Sequence, residues 1–154
     1  MVTFIGEFNL KIDAKGRLVF PSALKKQVSS SAQDNFVIKE DLFEKCLVLY
    51  PMEEWERQNS MLRKNLNPFN AKHNMFLRGF AKGAAELSLD GSSRLLIPKR
   101  LLDYAKIDKE VVLAGQDGKI EIWSKDHYEE IFSQEIDYSS LANEVLGDSL
   151  NPET

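Results

Sequence analysis

These 154 residues hold a single cysteine, Cys46, and only two histidines, His73 and His127. One cysteine excludes an intramolecular disulfide, which suits a reducing cytoplasm. The histidines lie far apart and neither neighbours the cysteine, so no set has the spacing of a zinc site. Cys46 reads as a small buried or half-buried side chain. Nucleophile elbows, phosphate-binding glycine loops and dinucleotide fingerprints are all absent. No apolar run approaches the roughly 20 residues that span a bilayer. The opening MVTFIGEFNL has no basic region followed by an apolar stretch, so no secretory signal is expected. The chain is expected to need no cofactor, metal, membrane or small-molecule substrate.

What is present is an ordinary globular composition, 43% hydrophobic and 29% charged, in a chain of one domain or two small halves packed closely together. The net charge of −4 argues against a nucleic-acid partner until its distribution is examined. Residues 1–33 carry +3, 34–70 carry −2, 71–110 carry +3 and 111–154 carry −8. The acid is concentrated at the C-terminal end, and local charge sets the field at a binding face.

Each positive stretch holds one copy of a repeat. Residues 6–24 read GEFNLKIDAKGRLVFPSAL and residues 83–101 read GAAELSLDGSSRLLIPKRL, aligned without a gap at an offset of 77. Seven of the nineteen positions are identical: Gly6/Gly83, Leu10/Leu87, Asp13/Asp90, Arg17/Arg94, Leu18/Leu95, Pro21/Pro98 and Leu24/Leu101. Two copies of one unit imply a pseudo-twofold fold with two equivalent surfaces.

Each half predicts the same course. An alternating strand (Phe8 to Ile12; Ala85 to Leu89) enters a polar turn, and a short strand (Leu18 to Phe20; Leu95 to Ile97) leaves it. Pro21 and Pro98 suit the first helical position, where no N–H is needed. Leu24 with Val28, and Leu101 with Ala105, lie four apart on one helical face. Strands at Phe36 to Ile38 and Leu47 to Tyr50 have counterparts at Val111 to Leu113 and Ile120 to Trp123, the latter joined at Asp117-Gly118. Helices start near Pro51 and after Ser124, a good N-cap. Trp55 follows Tyr50 by five residues as Tyr128 follows Trp123, which favours core packing for all four. Another helix runs from about Asn70 to Ala81, with Phe76 and Phe80 on one face. The expected divisions are 1–66, a connecting segment 67–82, 83–138, and an acidic tail 139–154, frayed or disordered.

The turn carries the chemistry. Asp13 and Asp90 can accept hydrogen bonds from backbone N–H groups just downstream, and Gly16 and Gly91 can adopt backbone angles closed to other residues. These four are read as structural. Arg17 and Arg94 offer a permanent charge and five donors, suited to phosphate or to the O6/N7 edge of guanine. From the pattern alone they could equally pair internally with Asp13 and Asp90. Lys11 and Lys15 crowd the first loop, while Ser92 and Ser93 accompany Arg94. Lys25, Lys26, Lys99, Arg100, Lys72, Arg78 and Lys82 read mainly as solvated faces. An aspartic-protease pairing of Asp13 with Asp90 would need an Asp-Thr/Ser-Gly context, which Asp13-Ala14-Lys15 does not supply. No enzyme is expected.

The two D-x-x-x-R motifs, with Leu49 to Trp55 between them and Val112 to Trp123 after them, resemble the MraZ family of bacterial regulators over about residues 1–145. The resemblance implies an α+β, mainly β fold: a tandem pseudo-twofold, AbrB-like swapped-hairpin β-barrel with flanking helices. It also implies sequence-specific binding of double-stranded DNA at direct-repeat boxes of the division and cell-wall promoter. Its members form ring-shaped homo-oligomers, and the expected location is cytoplasmic and nucleoid-associated. On this resemblance Lys15, Arg17, Arg94, Lys11, Ser92 and Ser93 become the expected DNA contacts. Family members often carry Gly before the motif arginine, as Gly16 does here. The second copy has Ser93, so Gly91 is expected to supply the freedom and the second loop to differ in shape. The rival reading is an AbrB-like antitoxin or scaffold.

Overall fold

The structure, a computed structural model, describes residues 2–28 and 35–147. Eight strands form: β1 Glu7–Lys11, β2 Arg17–Val19, β3 Asn35–Glu40, β4 Leu47–Pro51, β5 Ala85–Ser88, β6 Arg94–Leu96, β7 Glu110–Gln116 and β8 Lys119–Ser124. Six helices accompany them: α1 Ser22–Lys25, α2 Met52–Asn65, α3 Ala71–Ala81, α4 Lys99–Tyr104, α5 Lys125–Phe132 and α6 Tyr138–Leu146.

Sequence pattern sorts the strands by position. β1 and β5 alternate half-buried with exposed residues, as strands with one wet face do. β4 is buried at every residue, which suits its place inside the sheet. The main sheet is antiparallel throughout, in the order β1-β7-β8-β4-β3-β5. Exchanging the two halves leaves this order unchanged. β1 pairs with β7 of the second half, β5 with β3 of the first, and β2 with β6 in a separate two-stranded ribbon. Each half therefore completes the other.

Among the described residues the six-stranded sheet ends in β1 and β5 and does not close into a barrel. The reason is local: after Ile12 the chain turns out of the ladder, and β2 pairs with β6 instead. The coarser expectation holds, an α+β chain built mainly on antiparallel strands and two repeats.

The core lies between the ribbon and the sheet, with Leu18, Leu95, Phe20 and Ile97 meeting Phe36, Ile38, Leu47, Leu113 and Ile122. Leu24, Val28, Leu101 and Ala105 are all buried, as their spacing predicts. Pro21 and Pro98 sit one residue earlier than expected. Their ψ values of 131° and 137° are extended, so they cap α1 and α4 and do not open them. β7 and β8 join through a two-residue turn in which Asp117 takes a left-handed φ of 55°.

Ser124 caps α5 by accepting from the His127 N–H at 3.2 Å. Asn70 caps α3 in the same manner. Tyr50–Trp55 and Trp123–Tyr128 make matching ring contacts, both at 5.8 Å. Tyr50 and Trp123 are buried, whereas Trp55 and Tyr128 are half-buried. Trp55 stacks on Phe80, which stacks on Phe76. Residues 139–146 of the expected tail lie in α6, which has no buried residue; residues 148–154 lie outside the described residues.

Candidate functional site

The two motif turns fold alike. Asp13 Oδ1 accepts from the Lys15 and Arg17 N–H groups, each at 2.9 Å, and its Oδ2 accepts from Arg17 Nε at 2.8 Å. Asp90 repeats this, with Ser92 and Arg94 N–H at 2.9 Å and Arg94 Nε at 2.8 Å. The backbone closes each turn identically, Asp13 N–H to Arg17 O and Asp90 N–H to Arg94 O. The Arg17 N–H is the first cause that holds the Asp13 carboxyl below its ordinary value, with the guanidinium and the Lys15 N–H adding to it. The Arg94 N–H does the same for Asp90.

The internal pairing that the sequence left open is therefore present in both loops, and it leaves the arginines' Nη donors available. Each carboxylate engages Nε alone; among the described residues the Nη groups of Arg17 and Arg94 make no hydrogen bond. The aspartate holds the guanidinium by its inner edge, with the bidentate outer edge turned away.

The ribbon puts both arginines on one face. Its register pairs Arg17 with Leu96, Leu18 with Leu95, and Val19 with Arg94. Residues two apart share a face, so Leu18 and Leu95 point inward while Arg17, Val19, Arg94 and Leu96 share the outer side. Val19 and Leu96 are 59% and 55% exposed. The sequence gave no sign of this apolar pair on the arginine face, although alignment of the two copies would have matched the positions. Arg17 and Arg94 are diagonal neighbours, a relation of about 7–8 Å between Cα atoms.

The departure at Ser93 resolves differently from the expectation. Ser93 itself takes the left-handed φ of 58°, matching Gly16 at 86°, while Gly91 has no positive φ. The second loop keeps the shape of the first because the residue in the equivalent position accepts the strain. Ser93 Oγ also accepts from Lys25 Nζ at 2.9 Å, tying the second turn to α1 of the first half.

The other expected residues are spread around this face. Lys15 and Ser92 are exposed on the turns. Lys11 is exposed on β1 opposite Glu110. With Lys15, Lys99 and Lys109 it lines a cleft of about 740 Å³ beside the first turn. Lys25 serves Ser93, and Arg100 donates to the Gly83 carbonyl at 3.0 Å.

The histidines take structural parts: His73 Nδ1 accepts from the Asn67 N–H, and His127 packs edge-on against Trp123. Among the described residues one group has ligand types close enough to share a cation, Asp41, Cys46 and Glu121, within 4.8 Å of one another. Sequence distance hid it, because Glu121 reaches Cys46 only through the β4–β8 pairing. Burial, then Asp41 and Glu121, push the Cys46 thiol well above the usual range. Asp41 already accepts from the Phe43 and Glu44 N–H groups. The Asp41 carboxylate thus shapes a turn beside a buried thiol.

Comparison with known proteins agrees with the repeat. Residues 3–79 and 80–146 each match the family described as "MraZ protein, putative antitoxin-like". The chain is 47% identical over 150 residues to a protein of Christiangramia forsetii named "Transcriptional regulator MraZ", covering 96% of this chain and 95% of that one. It is 43% identical to the protein of that name from Flavobacterium psychrophilum (96% and 94%). The one from Clostridium tetani is 39% identical (92% and 96%).

Proposed function

The chain belongs to the MraZ family, and on that premise we propose that it is a sequence-specific DNA-binding regulator of transcription that reads the major groove with its β2–β6 ribbon. The family is one of transcriptional regulators, and the enzyme reading falls with it. The observation that carries the reading is the pair of guanidiniums on one outer face, each held through Nε with its Nη edge unbonded. The major groove admits a two-stranded ribbon, and an arginine edge pairs bidentately with guanine O6 and N7. A diagonal of about 7–8 Å matches roughly two steps along a strand at about 3.4 Å each.

Arg17 and Arg94 are the reading residues, with Lys15, Lys11 and Ser92 contacting phosphates. Ser93 belongs to the same loop and acts through its bond to Lys25. Asp13, Asp90 and Gly16 set the turns; Gly91 is an open, exposed loop position. The exchanged pairing of β1 and β5, with the ribbon covering the sheet, supports reading the frame as a swapped-hairpin barrel of two halves, 1–66 and 83–138, joined by 67–82 and followed by the tail 139–154.

One ribbon reads only a few base pairs, so specificity in a genome needs several heads acting together. A ring of identical subunits would supply them and would read direct repeats. The family resemblance sets the target as the division and cell-wall promoter, with repression as the outcome, in the cytoplasm at the nucleoid. The family description favours the second reading, an antitoxin or scaffold on the same frame. A gel shift with the gene's own upstream DNA separates the two. Retarded bands at moderate salt support the regulator, and no shift even at low salt supports the scaffold.

A further inference from the structure

The outer face of the β2–β6 ribbon carries two apolar side chains where the edge strands of the sheet carry polar ones. Along β1 and β5 the exposed positions are Glu7, Asn9, Lys11, Glu86 and Ser88, the alternation expected of a strand with one wet face. The outer positions of the ribbon hold Arg17 and Val19 on one strand, Arg94 and Leu96 on the other. Val19 and Leu96 stand 77 residues apart, at the same position of the two repeats, so the exception is made twice.

Packing within the chain does not account for them. With both arginines in place Val19 and Leu96 remain 59% and 55% exposed, so lying against the arginine stems leaves more than half of each in water. Both are firmly held. The next residue along each strand is tied to the turn of the other half, Phe20 N–H to the Ser93 carbonyl at 2.8 Å and Ile97 N–H to the Gly16 carbonyl at 2.9 Å. Val19 is also β-branched, which restricts its χ1.

The register sets Leu96 opposite Arg17 and Val19 opposite Arg94. Residues directly opposite lie about 4.5–5.5 Å apart, so the four form one small patch, with the cations on one diagonal and the apolar pair on the other. Bases along a DNA strand follow one another at about 3.4 Å. An apolar residue on this patch therefore reaches a base next to the one met by the arginine opposite it. Among the groups that identify a base pair in the major groove, the apolar one is the C5-methyl of thymine.

We propose that Val19 and Leu96 seat thymine methyl groups, so that each arginine and the apolar residue opposite it read a guanine beside a thymine. This rests on the proposed reading of the major groove and extends it from guanine to the neighbouring base.

The test is fluorescence anisotropy at fixed salt on the gene's own upstream duplex and on the same duplex with deoxyuridine in place of every thymine. Deoxyuridine keeps the pairing edge and puts hydrogen where the methyl stood. The parent is expected to bind the uracil duplex about fourfold more weakly for each methyl group it buries. Val19→Ser with Leu96→Ser, its fold checked by circular dichroism, is expected to bind the thymine duplex more weakly and to show no preference between the two. Its salt slope should match the parent's, since no phosphate contact is removed.

A parent that binds both duplexes equally overturns the proposal without recourse to any variant; if Arg17→Ala still weakens binding to both, the arginine reading stands. A uracil penalty that persists undiminished in the serine variant belongs to DNA shape and overturns the proposal too. So does a serine variant that loses mass in light scattering while keeping the thymine preference, because the face is then a contact between protein chains. A parent that binds neither duplex, even at low salt, overturns the proposed function itself and this inference with it.

Discussion

Leu18 lies directly opposite Leu95 in the β2–β6 ribbon, and both side chains are almost wholly buried. This pair is the local twofold centre of the molecule. Because it points inward, the residues on either side, Arg17 and Arg94, must point outward on the same face. An apolar pair that fixes the core thus also fixes the placement of the charges, and the aspartate at each turn fixes their orientation.

The aspartates should act on loop order before they act on affinity. Asp13→Ala or Asp90→Ala removes three hydrogen bonds from one turn and releases the arginine it holds. Melting temperature is expected to fall in both variants, and backbone amides of residues 14–17 or 91–94 should exchange faster. Unchanged amide protection would mean that the carboxylate does not organise the turn.

Acid should loosen the turns. Both carboxyls are held below the ordinary 3.8 by bonds from the folded backbone. A lowered folded value means that the unfolded chain binds protons first, so the stabilisation is complete above the ordinary value and is lost as pH falls through the lowered one. Carboxyl NMR titration is expected to give midpoints for Asp13 and Asp90 below 3.8. Midpoints at or above it would contradict the observed geometry.

The two loops should respond unequally to changes at the left-handed position. At Gly16, φ is 86°, and a Cβ would stand 3.2 Å from the Ile97 carbonyl and 3.3 Å from Leu102 Cδ1. Gly16→Ala is expected to destabilise by about 1–3 kcal/mol. Ser93→Gly relieves about 1–2 kcal/mol of left-handed strain and loses the Lys25 bond, worth about 0.5–1.5 kcal/mol, so denaturant midpoints should barely move. Equal losses at both sites would show that Ser93 is not strained.

Salt should weaken binding despite the acidic total charge, since each phosphate neutralised contributes about −0.9 to the slope of log affinity against log salt on duplex DNA. Lys15→Ala is expected to flatten that slope by about one contact and to weaken different sequences alike. An unchanged slope would remove Lys15 from the interface.

The site was legible because it is written twice: Asp13/Arg17 and Asp90/Arg94 recur in register, and the turn chemistry follows from residue type. The helix cap at Ser124, the Asp117-Gly118 hairpin and the buried Leu24/Val28 face were legible for the same local reason. What was not legible depends on pairing across the halves. No spacing shows that β1 pairs with β7, that Val19 and Leu96 share the arginine face, or that Glu121 reaches Cys46. Ser93 misled because residue type suggests glycine for a left-handed position, whereas the surrounding turn holds Ser93 there. Pro21 and Pro98 were misplaced by one residue, since proline suits both a cap and a first helical position.

The most direct test of the central claim is fluorescence anisotropy of the chain, Arg17→Ala, Arg94→Ala and the double variant on the gene's own upstream duplex at fixed salt, with thermal melts alongside. Each single change is expected to weaken binding by about 1–3 kcal/mol while the protein melts as a folded chain, and the double change should reduce affinity to the nonspecific level. Variants that stay folded and bind this duplex as tightly as the parent would contradict the claim that the two guanidiniums of the ribbon read DNA.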